Sequence, residues 1–263
     1  MKKSLILITY LILSNAYAEN INDSIHRAEQ GDQVAQLDVG MMYFKGSNGK
    51  PDYQQAAKWI LKSAEQGNSI SQNTIGAMYQ QGWGVSQDYA KAFNWYSKSA
   101  KQNYAPGQLN LGKMYKNGYS VPRDEVKAFE WYLKAAEQGE SYAQFEVGVA
   151  YEKGYGITKN YNQALKWYLK AAEQGLAVAQ NNVGVFYSKG YGVPQDHNKA
   201  FEWYLKAAEQ GDDLAQLNVG MMYFGGKGTT KNYAKAMSWL VKSAEQGNTQ
   251  AKNAIKDINQ ILQ

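Results

Sequence analysis

The chain has 263 residues, 44% of them hydrophobic, with 28 basic and 23 acidic side chains for a formal charge of +5. It has no cysteine, which excludes disulfides, thiol catalysis and a lipid anchor on cysteine. Its basic residues form no patch or run beyond the first few positions, so nucleic acid is not among the expected partners.

The first element in chain order is residues 1–18. Lys2 and Lys3 precede an apolar stretch from Leu5 to Leu13, and Ala16-Tyr17-Ala18 comes next, with small residues where a signal peptidase reads. These are the three parts of a secretory signal, and the stretch is too short to span a bilayer. The expected location is therefore periplasmic or secreted, with cleavage after Ala18. Residues 19–31 read as a partial N-terminal cap, since Ser24 to Gly31 looks like the end of a second helix.

From residue 32 a unit of 36 residues recurs six times, at 32–67, 68–103, 104–139, 140–175, 176–211 and 212–247. Gly40, Gly76, Gly112, Gly148, Gly184 and Gly220 keep the period, and so do Trp59, Trp95, Trp131, Trp167, Trp203 and Trp239. A fixed period of this length means stacked small units instead of one globular core. Each unit reads as helix, loop, helix and turn. Ala200, Trp203, Tyr204, Ala207 and Ala208 fall at i, i+3, i+4, i+7 and i+8, one apolar stripe of a second helix. Glycine after a Gln caps the second helices at their C-termini, with Asn103 in its place once. Asp52, Asp88, Asp124 and Asp196 are placed to cap them at the start. The glycines within first helices cost about 1 kcal/mol each relative to alanine. Close approach of a Trp or Tyr from a neighbouring helix is the expected compensation. Residues 248–263 read as a closing helix, with Ala251, Ala254, Ile255, Ile258, Ile261 and Leu262 on one face.

The pattern Ala-x4-Gly-x2-Tyr-x2-Gly, a Gly-Val loop, then Lys-Ala-x2-Trp-Tyr-x-Lys-Ala-Ala-x-Gln-Gly closely resembles the Sel-one-like repeat. The resemblance covers about residues 24–263. It implies an all-α fold, a right-handed α-α solenoid of the tetratricopeptide-like superfamily with capping helices at its ends. It also implies that the first helices line a concave face. The first unit departs only in its loop, Gly46-Ser47-Asn48-Gly49-Lys50-Pro51.

Residues that differ between units are not needed for the shared fold, so the variable side of the first helices is the candidate groove. It carries Leu37, Asp38, Met41 and Phe44 in the first unit, Asn73 in the second, and Asn110 and Lys113 in the third. The fourth supplies Tyr142, Phe145, Glu146 and Val149, the fifth Asn181, Asn182 and Val185, and the sixth Leu217, Asn218, Met221 and Phe224. Met41, Phe44, Met221 and Phe224 either meet a partner or pack against neighbouring units.

Catalysis has thin support. His26 and His197 make no zinc or triad spacing. Ser47-Asn48-Gly49-Lys50 matches a Ser-x-x-Lys pattern, but Gly49 and Pro51 place it in a loop, where that motif needs a helix start. Gly225 to Thr230 lacks the order and the preceding strand of a phosphate loop. The reading is a non-enzymatic exported scaffold that needs no cofactor and grips a protein or peptide, with an immunity protein against a secreted toxin as its narrower form. A cell-envelope or peptidoglycan-associated regulator, or a host-interaction factor, is the alternative.

Overall fold

A computed structural model describes residues 21–46 and 49–261. The leader at 1–18, Ser47, Asn48 and Leu262 lie outside the described residues. The fold is all-α. Helix α1 (Ile21–Glu29) precedes six hairpins: α2 (Gln33–Lys45) with α3 (Tyr53–Glu65), α4 (Ser69–Gln81) with α5 (Tyr89–Lys101), α6 (Ala105–Asn117) with α7 (Glu125–Glu137), α8 (Ser141–Lys153) with α9 (Tyr161–Glu173), α10 (Ala177–Lys189) with α11 (His197–Glu209), and α12 (Asp213–Gly225) with α13 (Tyr233–Glu245). Helix α14 (Thr249–Ile261) comes after the last hairpin. The chain divides within α7 into two compact units, one up to Trp131 and one from Tyr132. In each, second helices pack on the first helix of their own hairpin and on the first helix of the next, as α3 does on α2 and α4, and α11 on α10 and α12.

Capping chemistry fixes these equal lengths. Asp52, Asp88 and Asp196 accept from the backbone N–H of Gln55, Lys91 and Lys199, and Asp124 accepts from Lys127. Asn160 and Asn232 take the same place in the fourth and sixth hairpins. Four first helices also carry a side-chain cap, from Asp32, Asn68, Glu140 and Asp212, whereas Tyr104 and Leu176 make none. Asn103 adopts a φ of 61°, the left-handed conformation anticipated for it.

The glycines inside first helices are sites of close approach. A Cβ on Gly76, Gly148 or Gly184 would lie 2.9, 2.6 or 2.6 Å from the ring of Tyr96, Tyr168 or Tyr204. At Gly40 and Gly220 the facing residue is aliphatic, Ile60 at 2.4 Å and Leu240 at 2.7 Å. Tryptophan faces none of these five glycines: the expected close approach is met by tyrosine at three, and an aliphatic residue takes its place at the other two. Trp59 instead seals its hairpin against Ala28, Ala35 and Val39. The lysine three residues on lies over each of five such rings, 4.0 Å from the centroid at Trp167 and 4.4 Å at Trp59.

Glutamine does more than end the second helices. Gln66 Nε2 donates to Gly31 O and to Gln36 Oε1, and Gln36 Nε2 donates to Ala28 O. The same set recurs at Gln102 with Gln72, Gln174 with Gln144, and Gln246 with Gln216. Each buried amide thus satisfies carbonyls left over at a second-helix end and ties it to the next hairpin. Leaving such a group unpaired costs about 1–3 kcal/mol.

Candidate functional site

The first-helix positions nominated from the sequence divide by burial. Leu37, Met41 and Phe44 are buried in one apolar cluster with Ile60, Ile75 and Met78. They are core, so the expectation that they face a partner is corrected for this unit. Asn73, Asn181 and Leu217 are also buried. Asn110 donates to Asn73 Oδ1 at 2.8 Å, and Asn218 to Asn181 Oδ1 at 3.0 Å. These amides join successive first helices instead of waiting for a peptide backbone. Phe145 and Val149 pack half-buried beside the cluster around Tyr168, and Val185 beside that around Tyr204. Asp38, Lys113, Glu146 and Asn182 are half-buried, while Tyr142 and Met221 are exposed.

A coupling within the chain explains the buried phenylalanine. In three hairpins where the second helix presents tyrosine to the helix glycine, at Tyr96, Tyr168 and Tyr204, the first helix presents a polar residue to its hydroxyl. Tyr96 donates to Gln80 at 2.8 Å and Tyr168 to Glu152 at 2.7 Å. Burial pushes the Tyr168 phenol up, and the Glu152 carboxylate that accepts its hydrogen bond pushes it further, against a hydrogen bond with Asn182. Tyr204 is pushed up to about 12 by burial, opposed by a hydrogen bond with Ser188. In the first and sixth hairpins the second helix offers Ile60 or Leu240, which carry no hydroxyl, and the first-helix position becomes Phe44 or Phe224. Phenylalanine there fills space that a tyrosine and its acceptor occupy elsewhere.

The surroundings of Phe44 and Phe224 nevertheless differ. Phe44 meets Tyr53 and Trp83 edge-on at 5.1 and 5.5 Å, and Trp83 and Val85 close over the cluster. Met41 is 2% exposed. Its counterpart Met221 is 42% exposed, and Phe224 is only half-buried. Here Leu217, Asn218, Met221 and Phe224 line one wall of an open cleft of about 410 Å³, and Ala254, Asp257, Ile258 and Ile261 of α14 line the other, with Gln250 and Asn253 at its rim. Ile261 is 69% exposed, so it lines this cleft instead of joining the shielded face expected of the closing helix. Ala251 and Ile258 are buried as expected.

The cleft gathers four nominated residues, Leu217, Asn218, Met221 and Phe224. The sequence reading takes Ala254, Ile258 and Ile261 of α14 as a shielding face and not as part of a site, although a signal was present. Lys256 stands in α14 where all six hairpins have their helix glycine, and it is exposed. A side chain there leaves no room for a second helix at the spacing the hairpins use.

Among the described residues, no group of three or more His, Asp or Glu is arranged to hold a metal ion. His26 is exposed, and His197 begins α11 far along the chain. No helix among the described residues is long and apolar enough to cross a membrane.

The model of the Sel1 repeat matches residues 33–68, 69–104, 105–140, 141–176, 177–212 and 213–248, one residue later than the units drawn from the sequence. No curated protein sequence matches the chain. Among solved structures, a protective antigen of uropathogenic Escherichia coli strains that displays an SLR fold is 40% identical with a TM-score of 0.83, over 89% of this chain and 50% of that one. The chain thus spans about half the length of that antigen. A Sel1 repeat protein from Oxalobacter formigenes is 32% identical with a TM-score of 0.75, over 81% of this chain and 86% of that one. An immunity protein from Pseudomonas aeruginosa, 24% identical with a TM-score of 0.51 over 83% of this chain and 86% of that one, shares the fold alone. With six tandem matches in register over most of its length, the chain belongs to the Sel1-repeat family.

Proposed function

We propose that the protein is an exported, non-enzymatic scaffold that binds a protein or peptide partner, with the cleft between α12 and α14 as its principal contact. The observation that carries this reading is the exposure of Met221 and Ile261 in the cleft that Phe224 also lines, where apolar residues stand beside Asn218, Gln250, Asn253 and Asp257. Apolar surface gathered in one concavity is the ordinary signature of a contact site. The flexible thioether of Met221 suits a surface that must adapt to a partner. Tyr142, Glu146 and Asn182, on other first helices of the same unit, supply further polar contacts in this reading. The leader at 1–18 supports export, and N-terminal sequencing of the mature protein, with a start at Glu19, checks it.

Affinity capture from a periplasmic extract tests the binding role, with the wild-type chain run beside a Met221→Lys, Ile261→Lys variant. The variant is expected to lose one or more proteins that the wild type retains. Retention of the same set by both overturns the assignment of the cleft. In the narrower form of the reading the retained protein is a toxin, and co-expression of this chain then restores growth to cells that make it. Binding to purified sacculi without any protein partner would favour the cell-wall alternative.

A further inference from the structure

The repeats themselves show what such a cleft takes. The tyrosine that opens a second helix is covered by a ring from the loop after the following first helix. Trp83 stacks on Tyr53 with centroids 6.3 Å apart and planes at 23°, Tyr119 on Tyr89 at 4.8 Å and 20°, and Tyr191 on Tyr161 at 4.7 Å and 7°. The residue after each ring turns with positive φ: Gly84 at 69°, Ser120 at 64° and Gly192 at 70°. At Gly84 the backbone runs so close that a Cβ would lie 1.8 Å from the Tyr53 carbonyl oxygen, and at Gly192 it would lie 2.8 Å from the Asn162 nitrogen. Ring and turn therefore form one device, an aromatic side chain laid on a tyrosine by a chain that bends away at once.

Tyr233 is the tyrosine of this kind in the sixth hairpin. It is 38% exposed and touches Phe224, with centroids 5.5 Å apart. Lys231 lies over its ring at 4.9 Å from the centroid, as Lys159 lies over Tyr161 at 4.5 Å. At Tyr161 the assembly is completed by Tyr191, and around Tyr53 and Phe44 by Trp83 and Val85. At Tyr233 the lysine, the tyrosine, Phe224 and Met221 are all in place, and no ring among the described residues stacks on the tyrosine. Phe224, which touches Tyr233, also lines the 410 Å³ cleft.

We propose that this seat binds a protein partner through an exposed loop in which an aromatic residue is followed by glycine. The ring stacks on Tyr233 and packs against Phe224 and Met221, and the amides of Gln250 and Asn253 meet the loop backbone. The proposal rests on the reading of the cleft as a partner-binding site and names the chemistry of the partner. In a second copy the Trp83-Gly84 and Tyr191-Gly192 loops are already seated on Tyr53 and Tyr161, which leaves its Tyr155-Gly156 loop, with Tyr155 42% exposed, for a dimer to use.

The probe is the heptapeptide Gly-Trp-Gly-Val-Ser-Gln-Asp, the sequence of residues 82–88, beside a counterpart with alanine in place of tryptophan. Each is titrated into the full mature chain and followed by saturation-transfer NMR on the peptide. The tryptophan peptide is expected to bind, with its ring protons most saturated. The alanine peptide, and the Tyr233→Leu and Met221→Lys variants with the tryptophan peptide, should bind at least ten-fold more weakly. Lys256→Ala, on the face of α14 away from the cleft, should bind as the wild type does. Equal binding of the two peptides, or no binding by the wild type, overturns the proposal. So does a dimer in sedimentation equilibrium that Met221→Lys dissolves, since the occupant is then a second copy. Circular dichroism melting separates a loss of binding from a loss of fold, and Met221, being exposed already, tolerates lysine. If the captured partner is lost on Met221→Lys while the heptapeptide fails to bind, the seat is wrong and the scaffold stands. If capture is indifferent to Met221→Lys, the cleft assignment itself fails.

Discussion

The first and sixth hairpins are the most instructive pair in the molecule. Ala35–Phe44 and Ala215–Phe224 differ only at Asp38 against Asn218, and both hairpins pair phenylalanine with an aliphatic residue, Ile60 or Leu240. Met41 is nonetheless buried, and Met221 is open to solvent. The next element along the array makes the difference: a complete hairpin with Trp83 and Val85 in its loop closes over the first, whereas the next described element after the sixth is the single helix α14. The same residues are core in one place and surface in the other. Side-chain type sets what a position can do, and the neighbour decides which of these it does.

The largest effect that would break this comparison is at the two methionines. Met41→Ala is expected to cost about 2–5 kcal/mol, the range for truncating a buried side chain. Met221→Ala should stay within about 0.5 kcal/mol. Urea denaturation of the two variants reads the difference, and equal losses would mean that Met221 is core. Next come the glycine positions. Gly40→Leu should cost about 1–3 kcal/mol by driving a side chain into Ile60, while Lys256→Leu at the matching place in α14 should leave the melting temperature nearly unchanged. The pairing of Phe44 with Ile60 is sharpened by a double-mutant cycle. Phe44→Gln and Ile60→Tyr should each destabilise, and together they should recover about 0.5–3 kcal/mol by recreating the Gln80–Tyr96 arrangement.

The smallest effect concerns the aspartates that start the two first helices. Hydrogen bonding from the Ala35 N–H, and then from Arg27, holds Asp32 below the usual carboxylate range. Asp212 is pushed above it by burial, and Asp213 adds to the push, against a hydrogen bond from the Ala215 N–H. The signs are opposite. Asp32 binds its proton less readily folded than unfolded, so it stabilises α2 at neutral pH and loses that contribution as pH falls through its lowered pKa. Asp212 binds its proton more readily folded, so its cost at neutral pH is relieved as pH falls through its raised pKa. Amide-exchange protection in the first turn of α2 should therefore fall as pH drops below about 4, the ordinary aspartate value, while that of α12 holds or rises. Asp212→Asn should remove the second trend and leave the first.

Much of the fold was legible in the sequence because each cue is local. The 36-residue period, the Asp and Asn caps and the left-handed Asn103 act within a turn or two of the chain. The helix glycines announced close approach before any coordinates, and Tyr96, Tyr168 and Tyr204 met that expectation. Less of the candidate site was legible. Variation between hairpins marked positions that the repeat does not need, and two physical causes produce such variation. Phe44 varies because Ile60 replaces a tyrosine, a packing cause. Met221 stands at a place where the packing is left unfinished. The Gln36–Gln66 ladder escaped notice as well, since it joins side chains 30 residues apart.

By itself, then, the sequence determined the hairpin, its length and the way one hairpin meets the next, because helix caps, glycine contacts and apolar stripes depend on near neighbours that recur every period. Only the tertiary structure decided which variable residues face solvent. Burial depends on whether a further hairpin covers the position, and a residue such as Met221 carries no mark of what lies beyond it.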